Sequence, residues 1–215
     1  MDFAIIIEKV CKSFGESTVL SDINIGFEKG KIHGLIGRNG SGKTVLMKCI
    51  CGFIPISSGT ITINGKKMNK VFDTPENMGI IIETPGFLPS YNAYKNLKYL
   101  ADINGKIRKD RILESIAQVG LDPFNKKAVG KYSLGMRQRL GLAQAIMENP
   151  DILILDEPMN GLDKDGVEDM RRYLLDLKEQ GKTIIIASHS AEDIDILCDT
   201  VCEMDKGILK KVKGF

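Results

Sequence analysis

No apolar run in the chain approaches the roughly 20 residues that a membrane-spanning helix requires. The opening "MDFAIIIEKV" is too short and too acidic for a secretory signal. A cytosolic protein is therefore expected, with any membrane connection made through another chain. Paired C-x-x-C spacing is missing too. The five cysteines, Cys11, Cys49, Cys51, Cys198 and Cys202, fit neither a zinc site nor a redox motif and read as small buried apolar residues. Charge of one sign is not in excess: 30 basic and 28 acidic residues leave a net +2, which excludes the basic field that tracks nucleic acid. The densest basic run, "KGILKKVKG" at 206–214, reads as a solvated strand edge, or else as a contact for an acidic partner or lipid headgroups. Internal repeats and low-complexity tracts are also absent.

What remains is the composition of an ordinary globular protein, 43% hydrophobic and 27% charged, with 215 residues to build one core carrying a smaller subdomain. The first part is β-rich: "FAIIIEKV", "VLSDINIGFEKG" and "KIHGLIG", a helix from about 42 to 51, then "GTITING" and "MGIIIE". From about 85 to 149 the spacing turns helical, with Ile112, Ile116 and Val119 on one face and Met136, Leu140, Ala143 and Met147 on another. Then come "DILILD", a helix carrying Val167, Met170, Leu174 and Leu177, "KTIIIAS", a short helix, and a hairpin near Lys206-Gly207. Ile152 to Leu155 and Ile184 to Ala187 are apolar without alternation, as strands buried on both faces of a parallel sheet should be. The expectation is an α/β fold: a core from 1–84 and 150–215 with a mostly parallel sheet and an antiparallel β region at its start, interrupted by a helical subdomain at 85–149.

"GRNGSGKT", Gly37 to Thr44, follows a strand and opens a helix, which is the setting a phosphate loop requires. Gly37, Asn39, Gly40, Ser41 and Gly42 would wrap backbone N–H groups and the positive end of the helix dipole around one polyphosphate. Lys43 should reach the β- and γ-phosphates of a bound nucleotide, and the Thr44 hydroxyl should ligate Mg²⁺. "ILILDEP" supplies the complementary half, a buried strand that delivers Asp156 and Glu157 to the sheet edge where ligands bind. Asp156 would hold Mg²⁺ through its water shell, and Glu157 would orient or deprotonate the attacking water. His189 follows a second strand ending on the same edge, within reach of the γ-phosphate or that water, whereas His33 lies inside a strand and reads as structural.

Together these motifs resemble the ATP-binding-cassette family, the nucleotide-hydrolysing subunits of membrane transporters, over nearly the whole chain from Phe14 to Gly207. The resemblance implies a phosphate-loop NTPase core that binds and hydrolyses ATP with Mg²⁺ and works as a dimer, of two copies or with a different cassette, on a separate transmembrane permease at the cytoplasmic membrane face. "YSLGM", Tyr132 to Met136, occupies the place of the family's Leu-Ser-Gly-Gly-Gln signature, which implies that Ser133 and Gly135 bind the γ-phosphate held by the partner molecule. Leu134 stands where the family has a glycine and Met136 where it has the glutamine. Phe14 looks like the aromatic on which adenine stacks, or else a buried strand-end ring. "NGLD", ending at Asp163, looks like the loop linking the two sites, or else Asp163 only caps the next helix.

Glu83 replaces the glutamine that most of the family uses to join the core to the helical subdomain. An ionised glutamate only accepts hydrogen bonds, so it can approach Mg²⁺ or its water, and it would add a third carboxylate beside Asp156 and Glu157. Glu83 followed by Pro85, Phe87, Ala93, Tyr94, Asn96 and Leu97 is similar to the subgroup exporting bacitracin-type peptides and lantibiotics. Phe87, Leu88, Tyr91 and Tyr94 could form an apolar docking patch for the permease or lie inside the helical subdomain. Two other readings compete: a soluble cassette acting on nucleic acid or ribosomes, and a nucleotide-gated subunit with little hydrolysis. No sustained heptads support the first, and intact Lys43, Asp156, Glu157 and His189 oppose the second.

Overall fold

The computed structural model describes residues 2–68, 75–105 and 107–214. Two sheets share the work. β1 (Phe3–Phe14) and β2 (Ser17–Glu28) form an antiparallel hairpin, and β4 (Ser58–Ile63) and β5 (Lys66–Lys67) extend it in the order β2-β1-β4-β5. The second sheet runs β10-β9-β3-β8-β7-β6, built from β3 (Ile32–Ile36), β6 (Met78–Ile81), β7 (Ile152–Asp156), β8 (Thr183–Ala187), β9 (Thr200–Asp205) and β10 (Ile208–Lys213). Every pairing in it is parallel except β9 with β10. The expected α/β class and the closing hairpin are therefore present. The C-terminal basic run is the edge strand β10.

The non-alternating apolar strands have a direct cause, because each successive residue of β7 enters a different core. Ile152 and Ile154 face the antiparallel sheet and α1 (Lys43–Ile50), together with Ile185 and Ala187 of β8. Leu153 and Leu155 face the opposite side with Ile184 and Ile186, against α4 (Leu134–Ile146) and α5 (Lys164–Glu179). α2 (Ala93–Asn104) and α3 (Lys109–Gln118) pack on that same side, and α6 (Ala191–Leu197) lies between β8 and β9 in the chain.

Two glycines set how closely the helices approach the sheet. A Cβ on Gly79 would stand 2.2 Å from the Ala145 carbonyl, so α4 lies directly on β6. On Gly141 of α4 it would meet Pro85 Cγ at 2.6 Å, which seats the proline that leads into the helices. Buried Asn96 shapes the turn before α2: its Oδ1 accepts from Leu88 N at 2.8 Å, and its Nδ2 donates to the carbonyls of Leu88, Tyr91 and Asn92.

His33 is structural, as expected. Its ring is buried edge-on to Phe27 and bonds Thr200 Oγ1 at 2.7 Å and the Glu28 carbonyl at 2.9 Å, and burial lowers its pKa. Four of the cysteines are buried; Cys11 is only half-buried. Desolvation pushes the Cys49 thiol up to about 11 and those of Cys51, Cys198 and Cys202 up to about 12. Since the thiolate is the reactive form, a colorimetric thiol titration of native protein at neutral pH should modify Cys11 and reach the other four only after denaturation. Five thiols reacting at one rate without denaturant would contradict this packing.

Candidate functional site

The parallel register aligns three strand ends on one rim. Leu35 and Asp156 both pair with Ala187, so the chain leaves β3, β7 and β8 at the same level. From β3 it enters the glycine-rich loop, from β7 the acidic pair, and from β8 His189.

The loop is braced by both sheets. Gly37 has φ 145°, and a Cβ there would stand 2.2 Å from the Met204 carbonyl at the end of β9. Gly42, with φ 110°, opens α1, and the Ser41 carbonyl accepts from Gly207 N at 2.9 Å. Lys43 is buried, its ammonium donating to the carbonyls of Gly37 at 2.6 Å and Arg38 at 3.2 Å. Ser41 Oγ is buried with no hydrogen-bond partner among the described residues. Above Gly40 the space is open. An orphaned hydroxyl and a buried cation in a cradle of backbone fit a polyphosphate, since buried polar groups otherwise find partners. Thr44 Oγ1 donates to Asp156 Oδ2 at 3.1 Å, tying α1 to β7 through two hard oxygen donors suited to Mg²⁺.

Glu157, the residue after this strand, has φ 50°, a left-handed backbone uncommon outside glycine. Its N–H donates to the Ala187 carbonyl at 2.9 Å, and its carbonyl accepts from Asn160 N and from Gln138 Nε2, both at 3.1 Å. His189 Nε2 lies 3.2 Å from Glu157 Oε1 without hydrogen-bond alignment, so that buried oxygen has no hydrogen-bond partner among the described residues. The His189 N–H reaches Oε2 at 3.4 Å. Burial pushes the Glu157 carboxyl above its ordinary value, and Asp156 adds to this; the His189 ring, its N–H and Lys43 pull the other way.

Glu83 does not join Asp156 and Glu157. Its carboxylate pairs with Lys48 of α1 at 2.6 Å, and the described residues contain no cluster of three or more acidic, histidine or cysteine side chains able to hold a metal. A nearby ammonium neutralises the extra charge where a third carboxylate would repel the first two. Phe14 is 47% exposed at the end of β1, so it is presented to solvent rather than buried. Ser133 caps α4, its hydroxyl accepting from Met136 N at 3.1 Å. Gly135 is buried against the 160–163 loop, where a Cβ would come 2.7 Å from the Gly161 carbonyl. Asp163 caps α5 by accepting from Gly166 N at 3.0 Å. The roughly 620 Å³ hollow beside Ser133 is lined by Gly135, Arg139 and Asp163 and by no phosphate-loop residue.

Of the expected docking patch, Phe87 and Tyr94 pack against the core while Leu88 and Tyr91 are exposed. A groove of about 980 Å³ is lined by Phe53, Met78, Pro85, Leu100 and Ile103 and by none of these four residues.

Sequence reasoning passed over two supports. Lys12 sits beneath Phe14, its Nζ 4.6 Å from the ring centroid while donating to the Pro55 carbonyl at 2.8 Å. Their i, i+2 spacing on one strand was the available signal. Behind His189, Ser188 Oγ donates to buried Asp193, which Arg171 also holds. Ser190 caps α6 by accepting from Asp193 N, a serine-x-x-acid start legible in the sequence.

The family model described as ABC transporter matches residues 20–160. An uncharacterized ABC transporter ATP-binding protein of Bacillus subtilis (strain 168), YybJ, is 49% identical over 93% of this chain and 91% of its own length. The bacitracin transport ATP-binding protein BcrA of Enterococcus faecalis is 42% identical over 97% of this chain and 68% of its own. Among solved structures, cbiO1 from Clostridium perfringens, part of the ABC transporter complex cbiONQ, superposes with a TM-score of 0.84 at 27% identity, covering 98% of this chain and 88% of that one.

The raised carboxyl of Glu157 has a stability consequence. A folded-state pKa above the unfolded value means that the ionised form costs stability at neutral pH and that this cost disappears as pH falls to the unfolded value. Glu157→Gln, melted without nucleotide, should therefore have a higher Tm than the native chain at pH 7, with the difference vanishing by about pH 4. A lower Tm at pH 7 would show that contacts with His189 outweigh desolvation.

Proposed function

The chain belongs to the ABC transporter family as an ATP-binding subunit, and we propose that it is a Mg²⁺-dependent ATPase that closes as a dimer over two ATP molecules and drives a separate permease exporting peptide antibiotics. The observation that carries this reading is the meeting, on one sheet rim, of the Ser41–Lys43 phosphate cradle with a desolvated Glu157 whose Oε1 has no hydrogen-bond partner among the described residues.

Lys43 and the loop N–H groups bind the β- and γ-phosphates, and Phe14 stacks on adenine with Lys12 behind it. Thr44 and Asp156 would hold Mg²⁺, which when bound neutralises phosphate charge. Glu83 reaches such an ion only by leaving Lys48. Glu157 Oε1 orients the attacking water and takes its proton, and the raised carboxyl makes it a better base. His189, poised beside that carboxylate, steadies the charge that develops on the γ-phosphate.

The hollow beside Ser133 contains no phosphate-loop residue, which supports use of Ser133 and Gly135 on the ATP of a second cassette. Hydrogen bonds to charged groups contribute about 1.5 to 3 kcal/mol each. The paired signatures of a closed dimer thereby reach the roughly 5.5 kcal/mol that moves a two-state equilibrium from 1:99 to 99:1. ADP lacks the γ-phosphate, so hydrolysis reopens the pair. On this reading residues 85–149 are a helical unit set into a nucleotide-binding core of 1–84 and 150–215, and the groove at Phe53, Pro85 and Ile103 seats the permease at the cytoplasmic membrane face. The name of BcrA supports a peptide antibiotic as the exported class.

Glu157→Gln should lower ATP turnover at least about 100-fold while leaving ATP binding intact. Light scattering of that variant should show a monomer without nucleotide and a dimer with ATP. A monomer with ATP bound would point to a different cassette or the permease as the closing partner. Native-like turnover would remove Glu157 from the role of base.

A further inference from the structure

The left-handed backbone at Glu157 needs something to hold it, and the holder comes from the helix that carries the signature. Gln138, on α4, is only 6% exposed and donates from Nε2 to the Glu157 carbonyl at 3.1 Å. That carbonyl also accepts from Asn160 N, which closes the 157–160 turn beneath the base. One turn earlier in α4 the grip repeats. Gly135 lies against the Gly161 carbonyl, and a Cβ on Gly161 would stand 2.5 Å from Leu134 Cγ. The first two turns of α4 therefore hold the 157–161 segment at both ends, through a hydrogen bond at Glu157 and close packing at Gly161.

Ser133, the N-cap of α4, is five residues from Gln138, under two turns along a single helix. A rigid helix transmits a shift at its cap to a side chain that near. We propose that Gln138 is a positioning residue that aims Glu157, so that the readiness of the base in one site depends on where α4 sits when Ser133 takes up a phosphate. The inference rests on the reading of Glu157 as the base. It adds a connection within one chain: the phosphate captured at Ser133 belongs to the partner's site, while the carboxylate tuned through Gln138 belongs to the chain's own. Leu134 strengthens the link, because its side chain packs on Gly161 where a glycine would leave the loop untouched.

The experiment compares native protein, Glu157→Gln, Gln138→Met and Gln138→Asn in steady-state ATPase assays and in ATP-dependent light scattering, with thermal melts confirming folding. Gln138→Met keeps the length of the side chain and removes its donor; Gln138→Asn stays polar and withdraws the amide by one methylene. Both are expected to lower kcat about 10- to 100-fold, the scale of a misaligned catalytic group, with KM for ATP unchanged. The ATP-bound dimer mass of the Gln138 variants, read in the Glu157→Gln background, is expected to match that of Glu157→Gln alone. If Glu157→Gln retains native turnover, the base assignment fails and this inference falls with it. If Glu157→Gln is inactive and either folded Gln138 variant turns over at the native rate, the inference alone is overturned. A rise in KM and a loss of dimer mass alongside the fall in kcat would overturn it too, by showing a packing role.

Discussion

Parallel pairing of β3, β8 and β7 is the constraint on which the other features depend. Parallel strands cannot be joined by tight turns, so each must be followed by a crossover, and the crossovers leave from one rim. The aligned register puts the phosphate loop, the acidic pair and His189 there together, although the loop lies more than a hundred residues before the other two in the chain. Burial on both faces prevents slippage, since a one-residue shift would move Ile154 and Leu155 each into the wrong core.

On that rim the groups have different local needs. Lys43 is buried with its ammonium hydrogen-bonded to loop carbonyls, and Glu157 is desolvated without a full set of partners. A fold that aimed only at stability would pair the two or expose them. Here the cradle keeps them apart and incompletely satisfied, which is the state a site adopts when a charged substrate and a water complete it. Glu83 shows the opposite choice: its extra carboxylate is absorbed by Lys48.

Much of this was legible in the chain. "GRNGSGKT" and "ILILDEP" carry their own structural setting, because a strand before and a helix after follow from apolar runs and glycine positions. The buried state of His33 and the parallel strands followed from pattern as well. Glu83 did not follow, since nothing in its neighbourhood in sequence announces Lys48 on a helix 35 residues away. Of the four residues of the expected docking patch, Phe87 and Tyr94 pack on the core, while Leu88 and Tyr91 lie exposed on the turn whose backbone Asn96 bonds.

The sequence by itself determined the local setting of the phosphate loop and of the acidic pair, a strand running into a turn at the sheet rim, because each is a local arrangement of backbone freedom and side-chain type. Only the tertiary structure decided which groups share a charge and which backbone holds another: Glu83 with Lys48, Gln138 on the Glu157 carbonyl. Hydrogen bonds and ion pairs act over about 3 Å. These pairs meet only once helices and sheet are packed, so no spacing along the chain records them.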